Sequence, residues 1–286
     1  MTRRTLFSGL LFLLLSSPSL FAAADREASR PAIMIPVAGT VTGANGTRFQ
    51  TDLTITSLTS ENTPTTLVDV YWLPRDTPGT GVPVKRLELP ARRFVFLEDF
   101  VTRTLNLSGL GAIILRAVNA DGSPNLAGRL DAFARIWTPV SGGSGTTSHS
   151  VHASTLYSPQ IDDFQPIRGL IYGLRQDANF RSNYGLVNMG TKRLTFSVIF
   201  VTGESPNGEQ TVTELVSVEA QSMTHRPVPA GVTGPVTIAV VAQQEFSMAN
   251  PYAAIQPWTA YGTSVDNITG DGWYSKAQAA YPYNEH

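Results

Sequence analysis

Apolar and polar residues alternate along several short segments of the chain. In segment 49–55 every second residue is Phe, Thr, Leu or Ile, and in segment 194–200 every second residue is Leu, Phe or Val. A period of two predicts β-strands that bury one face. Apolar residues do not follow helical spacing over any long segment, and the best helical candidate, 97–105, is predicted to form no more than a turn or two. Further strands are predicted where β-branched and aromatic residues form runs between Gly, Pro or Asp, at 68–72, 93–97, 113–118 and 236–241.

Similar segments recur in the two halves of the chain. Segment 49–57 matches segment 180–188 at an offset of 131 residues, and the offset shrinks to 121 residues farther along the chain. Loops tolerate deletions that strands do not, so a drifting offset is what loop shortening would leave after a duplication. We therefore expect an internal duplication. The matched positions are Phe49 with Phe180, Leu87 with Val216, Gly111 with Gly234 and Trp137 with Trp258.

Each copy contains about six or seven predicted strands, with turn residues at intervals of about 8–12 positions, as antiparallel sandwiches do. The sequence therefore predicts an all-β fold of two tandem antiparallel β-sandwich (immunoglobulin-like) domains arising from internal duplication, over residues 25–160 and 161–286. The Gly/Ser-rich segment 139–147 is interpreted as a hairpin loop of the first domain rather than as the linker. Trp137 and Trp258 are expected to lie in the two cores, because sandwiches commonly bury a Trp.

The first 24 residues have the pattern of an export signal. Arg3 and Arg4 precede an apolar stretch at 6–15, which is shorter than a bilayer span, and residues 22–24 are alanines that offer a cleavage site. We expect a signal peptide over 1–24 and a product that is secreted, periplasmic or held at the cell surface. No later stretch stays apolar for about 18 residues, so no membrane span is expected after cleavage.

Composition narrows the chemistry. The 286 residues include no Cys, the formal net charge is −1, and 15% of residues are charged. The absence of Cys excludes disulfides, thiolate nucleophiles and Cys-ligated zinc. No basic surplus is present to attract phosphate backbones, so nucleic acid is not an expected partner. The composition leaves the oligomeric state open.

Three parts of the chain resemble an uncharacterised family of exported bacterial proteins with two tandem β-sandwich units. The first part departs from the family pattern, which has Trp-Arg where this chain has Phe49 and Gln50. The resemblance implies the architecture and export, and it carries over no activity, cofactor or catalytic residue. The matching parts are 35–36 with 43–53, then 174–190, and finally 260–271.

A polar loop near the C-terminus, TSVDNITGDGW at 263–273, holds three candidate calcium ligands, Asp266, Asn267 and Asp271. Calcium takes about six to eight oxygens, and the loop lacks the spacing of an EF-hand. The competing interpretation is a tight turn, in which Asp and Asn side chains cap backbone N–H groups. No cofactor is expected, apart from calcium at this loop. Trp273 and Tyr274 flank the loop and are candidates for stacking on a sugar ring or a protein surface.

The sequence contains no recognisable catalytic set. His149 and His152 form an H-x-x-H pair, but residues three apart face opposite sides of a strand, and no G-x-S-x-G motif occurs. We therefore expect a secreted, non-enzymatic extracellular binding or structural module that holds a protein or polysaccharide partner. The alternative is a carbohydrate-active hydrolase with an unrecognised carboxylate pair, because two distant acids can meet in space. A third hypothesis is a calcium-stabilised adhesin.

Overall fold

The computed structural model describes residues 31–43, 47–59, 65–140, 144–155, 168–202, 210–243 and 256–280. These residues form antiparallel β-sheets and one short helical turn, Phe100–Thr104, so the fold is all-β as the sequence predicts. The predicted signal peptide and the predicted domain boundary at 160–161 lie outside the described residues. Within the described ranges, no helix is long and apolar enough to cross a membrane.

Half 1 of the described chain is made of strands β1 to β9. They run in two layers, ordered β4-β3-β6-β1-β9 and β5-β2-β7-β8. The ends of β1 and β2 also pair, at Val41 with Phe49, which joins both layers into one nine-stranded sheet. Both layers contribute to one hydrophobic core. The strands are β1 (Ala32–Thr42), β2 (Arg48–Ser57), β3 (Thr65–Pro74), β4 (Lys85–Pro90), β5 (Phe94–Leu97), β6 (Gly109–Val118), β7 (Leu130–Pro139), β8 (Thr146–His152) and β9 (Ser154–Thr155).

Half 2 is made of strands β10 to β18. A five-stranded sheet has the order β13-β12-β15-β10-β18, and a four-stranded sheet has the order β14-β11-β16-β17. A second core fills the space between these sheets, with Tyr184, Phe196 and Phe200 fully buried. The strands are β10 (Arg168–Gln176), β11 (Phe180–Asn188), β12 (Leu194–Thr202), β13 (Gln210–Val218), β14 (Ser222–Pro227), β15 (Gly234–Gln243), β16 (Trp258–Asp266), β17 (Gly272–Lys276) and β18 (Gln278–Ala280).

The two halves have the same strand order in both layers. They also share a β-bulge, because the register of the first strand shifts between Ile35 and Ala38 in half 1 and between Ile171 and Leu174 in half 2. The Gly/Ser-rich segment 139–147 connects β7 to β8 as a hairpin, as predicted, and the polar loop after Asp266 connects β16 to β17 in the same place. The matched order supports the duplication, which stays a prediction.

A hydrogen bond beside each bulge repeats in the same position. Thr51 Oγ1 donates to the carbonyl oxygen of Gly39 at 2.9 Å in half 1. Ser182 Oγ donates to the carbonyl oxygen of Arg175 at 2.6 Å in half 2. Both hydroxyls are buried and therefore need a hydrogen-bond partner. Each finds this partner on a strand of the opposite layer. The offset of 131 residues that the sequence shows for β2 and β11 therefore matches the three-dimensional register.

Strand register also corrects the glycine match. Gly234 begins β15, and its equivalent is Gly109, which begins β6; the sequence match with Gly111 is shifted by two residues. Gly109 and Gly234 have φ of 95° and 97°, a region that favours glycine. The match of Leu87 with Val216 agrees with the register. Leu87 pairs with Val68 and Val216 pairs with Phe196, and these two partners lie opposite the equivalent residues Ala117 and Ala242.

Trp137 and Trp258 do not occupy equivalent positions, so the prediction of two matched core tryptophans is wrong. Trp137 pairs with Gln50 near the end of β7, whereas Trp258 pairs with Asn188 at the start of β16. Trp137 lies on the outer side of its layer, and Trp258 packs edge-on against Phe196 with ring centroids 5.3 Å apart. Residue type alone cannot reveal strand register, which decides which residues are equivalent.

The four-stranded sheet of half 2 is buried on both faces. Tyr184 and Leu186 point into the core of half 2. Val187, Met223 and Tyr261 point the other way and belong to the core of half 1. The two halves therefore share an apolar interface, and residues 184–188 are all buried rather than alternating.

Backbone hydrogen bonds reinforce this interface. The segment after β3 runs along β14, where Asp76 N donates to the carbonyl oxygen of Met223 at 2.8 Å and Gly79 N donates to that of Ala220 at 3.1 Å. In the other direction, Ser222 Oγ donates to the carbonyl oxygen of Pro74 at 2.8 Å. Paired polar groups of this kind are required wherever backbone is buried away from water.

Gly185 is predicted to be essential for this packing. A Cβ at Gly185 would lie 2.1 Å from the Tyr261 ring, so Gly185→Ala should displace the ring and destabilise the fold by about 1–3 kcal/mol. The matched control is Gly231→Ala, because nothing lies within 4 Å of a Cβ at Gly231. Thermal unfolding followed by circular dichroism should show a lower Tm for the first variant alone. Equal Tm values for the two variants would contradict the described packing.

Candidate binding face

The outer side of the β5-β2-β7-β8 layer, named here the open face, carries aromatic rings on neighbouring strands. Strand pairing places Phe96, Thr54, Phe133 and His152 side by side in one row across four strands. Phe94 lies on the same side of β5, because alternate residues of a strand share a face. The inner side of the same layer is apolar and buried in the core of half 1.

Two phenylalanines of the open face are mostly exposed. Phe94 is 79% exposed and Phe96 is 63% exposed, and both stand on β5, an edge strand of the layer. Burying such a ring is worth about 1.5–3 kcal/mol, which the isolated chain forgoes here. Exposed apolar rings that are grouped, rather than scattered singly, mark candidate interaction surfaces.

Neither residue is among the site candidates that the sequence pattern predicts. Segment 93–97 is predicted to be a strand, and Phe94, Val95, Phe96 and Leu97 are all apolar. An edge strand with apolar residues on both faces exposes one of these faces to solvent. The run of four apolar residues at 94–97 was therefore a signal present in the sequence. What the sequence could not supply was the position of this strand at an edge.

Other contacts order the remaining rings of the open face. The Phe133 ring meets His152 edge-on, with centroids 5.0 Å apart. The Arg135 guanidinium lies over the Trp137 ring at 5.6 Å from its centroid, a cation–π contact. Phe133 and Trp137 are half-buried, so the open face is a sheet surface with both exposed and partly covered rings.

The equivalent side of the β14-β11-β16-β17 layer in half 2, named here the covered face, lies against half 1. Its matching row is His225, Gly185, Tyr261 and Lys276. His225 Nδ1 and the Tyr261 hydroxyl are 2.9 Å apart and form a hydrogen bond across Gly185. Tyr261 also stacks on Tyr274, with ring centroids 5.8 Å apart. Burial raises the pKa of the Tyr261 hydroxyl well above its usual value. The same row of the fold is thus exposed in one half and buried in the other.

Two histidines at the interface between the halves have strongly lowered pKa values. Burial lowers the pKa of His149 from 6.5 to about 4. Burial also lowers the pKa of His225 from 6.5 to about 4, and the neighbouring Arg75 and His149 act in the same direction while Asp76 opposes them. Both imidazoles are therefore neutral near pH 7. The low pKa values follow from the packing between the halves.

The polar loop that contains the calcium candidates is a hydrogen-bonded turn. Asp266 Oδ1 accepts from the backbone N–H groups of Ile268 at 2.7 Å and Thr269 at 2.9 Å. The bond from Thr269 is the main cause that lowers the pKa of Asp266. These are the interactions of a capped turn, which is the competing interpretation made from the sequence.

The other two candidate ligands contribute to the same loop. Arg181 donates to Asn267 Oδ1 at 2.8 Å, and the Asn267 amide donates to the carbonyl oxygen of Ala178 at 3.2 Å. The backbone of Asp271 accepts from Asp266 N at 2.8 Å. Calcium would have to compete with the Arg181 guanidinium for the Asn267 oxygen, so the geometry favours the turn. Calcium binding stays a prediction.

Trp273 and Tyr274, the two aromatic candidates, point to opposite sides of β17. Trp273 is 37% exposed, and its Nε1 donates to the carbonyl oxygen of Gly173 at 2.7 Å. Its ring meets Phe180 edge-on with centroids 5.7 Å apart. Tyr274 instead packs against the core of half 1 and stacks on Tyr261. The two rings therefore cannot form one binding platform, and only Trp273 faces solvent.

His149 and His152 do lie on opposite sides of β8, as expected. His149 pairs with Ile136 and points inward, and His152 pairs with Phe133 on the open face. Across the described ranges, no group of three or more His, Cys, Asp or Glu side chains is placed to hold a metal ion. The two imidazoles of the pair therefore do not point toward one shared metal ion.

A polar cleft of about 230 Å³ lies where half 1 meets the edge of half 2. Asp76 and Glu219 both line it, with Arg193 and Arg226. Thr224 Oγ1 donates to Asp76 Oδ1 at 2.7 Å, and Arg193 is paired with Glu219 at 3.3 Å. Two carboxylates from different halves thus share a cleft; Asp76 accepts a hydrogen bond and Glu219 forms a salt bridge.

No protein-family model matches the sequence, and a search of curated proteins finds no match either.

Acidification is predicted to weaken the interface between the halves. The pKa of His149 and His225 is lower in the folded chain than in the unfolded chain, so the unfolded chain binds more protons below pH 6.5. The stabilising contribution should be complete above pH 6.5 and should be lost as the pH falls toward 4. Tm measured across this range should fall less in the double variant His149→Gln, His225→Gln than in the wild type.

The matched control for this pH dependence is His152→Gln, which changes the exposed histidine of the same strand β8. It should leave the dependence of Tm on pH as in the wild type. Equal dependence in the wild type and the double variant would show that the interface histidines do not cause it.

Proposed function

We propose that the chain is a secreted or cell-surface, non-enzymatic binding or structural module, and that the open face of half 1 holds an extracellular protein or polysaccharide partner. The observation that carries the proposal is the pair of exposed rings on the edge strand, Phe94 and Phe96. They extend a row of aromatic residues across a sheet, where a flat partner surface can lie against several rings at once.

The surroundings of these rings suit reversible binding. Thr54 and Thr56 separate β5 from the rings on β7 and supply hydroxyl groups between them. Arg135 and His152 add donors at the other side of the row. Apolar rings with a polar border resemble the anatomy of protein interfaces, where aromatic residues supply affinity and the border supplies specificity. The same arrangement suits sugar rings, which have apolar faces and polar edges.

Removal of the exposed rings is predicted to weaken partner retention. The mature protein would be incubated with insoluble polysaccharides, cell-wall preparations and candidate surface proteins, and retention would be measured by sedimentation of the complex. Phe94→Ala with Phe96→Ala should weaken binding by about tenfold or more, since each ring contributes about 0.5–1.5 kcal/mol beyond its buried area.

The matched control is Leu215→Ala on β13 of half 2, which is also exposed, at 67%. It should bind as the wild type does. Retention that is unaffected by loss of both phenylalanines would show that the open face is not the binding surface, even if the chain binds a partner elsewhere.

The second candidate function is a carbohydrate-active hydrolase, which the polar cleft favours because Asp76 and Glu219 both line it. Glycoside hydrolysis needs two carboxyl groups on either side of the scissile bond. If the cleft is catalytic, Asp76→Asn and Glu219→Gln should each abolish release of reducing sugar from a polysaccharide panel. Activity that survives both substitutions, or that is absent from the wild type, would reject this candidate.

A further inference from the structure

We propose that the partner of the open face is a second copy of this chain, which docks the free end of its half 2 there and so builds a head-to-tail chain of molecules. The inference rests on the proposed function, because it names the partner of the same face. It follows from comparing equivalent positions in the two halves.

The open face and the covered face occupy equivalent positions in the two halves. Strand order and register place Phe133 of the open face where Tyr261 stands in the covered face, and Phe96 where His225 stands. The covered face is buried because half 1 packs on it. The fold therefore already contains one example of this face covered by the end of a neighbouring unit, and the open face is the same surface without its neighbour.

Three parts of half 1 lie against the covered face of half 2. The segment after β3 bonds along β14, through Asp76 and Gly79. His149 on β8 lies close to β17, where a Cβ on Gly272 would be 3.7 Å from its Nδ1. Val37 in the bulge of β1 is buried in the cluster that includes residues of the covered face. The covering surface thus combines the bulge, β8 and the end of β3.

In half 2, the described equivalents of the bulge and of β8, named here the free end, are exposed at two positions. Pro36 of the first bulge is buried, and its equivalent Tyr172 is 48% exposed. The equivalent of His149 is Trp273, which is 37% exposed. Two aromatic rings are therefore partly exposed at these positions, whereas in half 1 the matching Pro36 is buried and the matching His149 is half-buried beside β17.

The positions of the two surfaces determine the kind of assembly that they can form. Each molecule has one open face, on half 1, and one free end, on half 2. Joining a free end to the open face of the next copy repeats the packing between the halves. Such a contact uses two different surfaces, so it is heterologous and extends into a filament or a large ring instead of closing as a two-fold dimer.

The aromatic content of both surfaces fits this pairing. Repeating the packing between the halves would place Tyr172 against β7 and Trp273 against β8 of the open face, because β1 contacts β16 and β8 contacts β17 within one molecule. Phe133 on β7 and His152 on β8 lie there, in the same row as Phe96. Exposed rings on an edge strand are otherwise a liability that proteins avoid, since edges promote association. Specific self-association would bury these rings against a second copy of the chain.

The test measures molar mass of the full mature chain by sedimentation velocity and light scattering over a wide concentration range. The wild type should form species larger than dimers as concentration rises. Phe96→Asp and Tyr172→Asp should each be monomeric, because each loses one of the two surfaces. The control Leu215→Asp, at an exposed site outside both surfaces, should associate as the wild type does.

Mixing the two monomeric variants separates head-to-tail assembly from other modes. Phe96→Asp keeps a working free end and Tyr172→Asp keeps a working open face, so an equimolar mixture should form heterodimers and nothing larger. Circular dichroism and Tm equal to those of the wild type would confirm that both variants are folded. A wild type that stays monomeric at every concentration, or a Tyr172→Asp variant that still self-associates, would overturn the proposal.

The retention assay distinguishes failure of this inference from failure of the proposed function. If the wild type is monomeric but binds a polysaccharide in a manner that depends on Phe94 and Phe96, the open face is a binding surface and its partner is not a second copy. If the two phenylalanines affect neither retention nor association, both proposals fail.

Discussion

The packing of Tyr261 across Gly185 is the contact on which the arrangement of the two halves depends. Gly185 has no side chain, so the Tyr261 ring lies flat over β11 and bonds to His225 on the far strand. Val187 and Met223 complete the apolar surface that half 1 covers. Removal of half 1 would expose these residues to water, so the second half depends on the first for one of its faces. Burial of two neutral histidines in the same interface makes that dependence sensitive to acid.

Because of this packing, two surfaces in equivalent positions of the fold differ in their exposure to solvent. In half 2 the outer row of the four-stranded layer is sealed by half 1, and in half 1 the equivalent row is open, with Phe94 and Phe96 in solvent. Hydrophobic stabilisation favours covering such a surface, and the chain has used its own first half to cover one of the two. The proposed functions, partner binding and head-to-tail assembly, are both ways of covering the other.

The sequence predicted the elements better than their surroundings. Alternation over 194–200 predicted β12, which buries every second residue, and the short helical turn fell within 97–105 as expected. The offset between 49–57 and 180–188 agreed with the register. Composition could not place Trp137 and Trp258, because equivalence depends on pairing partners far away in sequence. Nor could it show that β11 is buried on both faces, since that depends on how one half meets the other. For the candidate loop, Asp266 was identified, but its bonding to its own turn became evident only from the geometry.

Hydroxyl-radical footprinting with residue-level mass spectrometry tests the central claim most directly, because it compares the two equivalent faces in one solution. At concentrations low enough to keep the chain monomeric, Phe94 and Phe96 should be oxidised rapidly, while Met223 and Tyr261 should be protected despite the high intrinsic reactivity of their side chains. Oxidation of Met223 and Tyr261 as fast as the exposed phenylalanines would contradict the account, since it would mean that half 1 does not cover the second sheet.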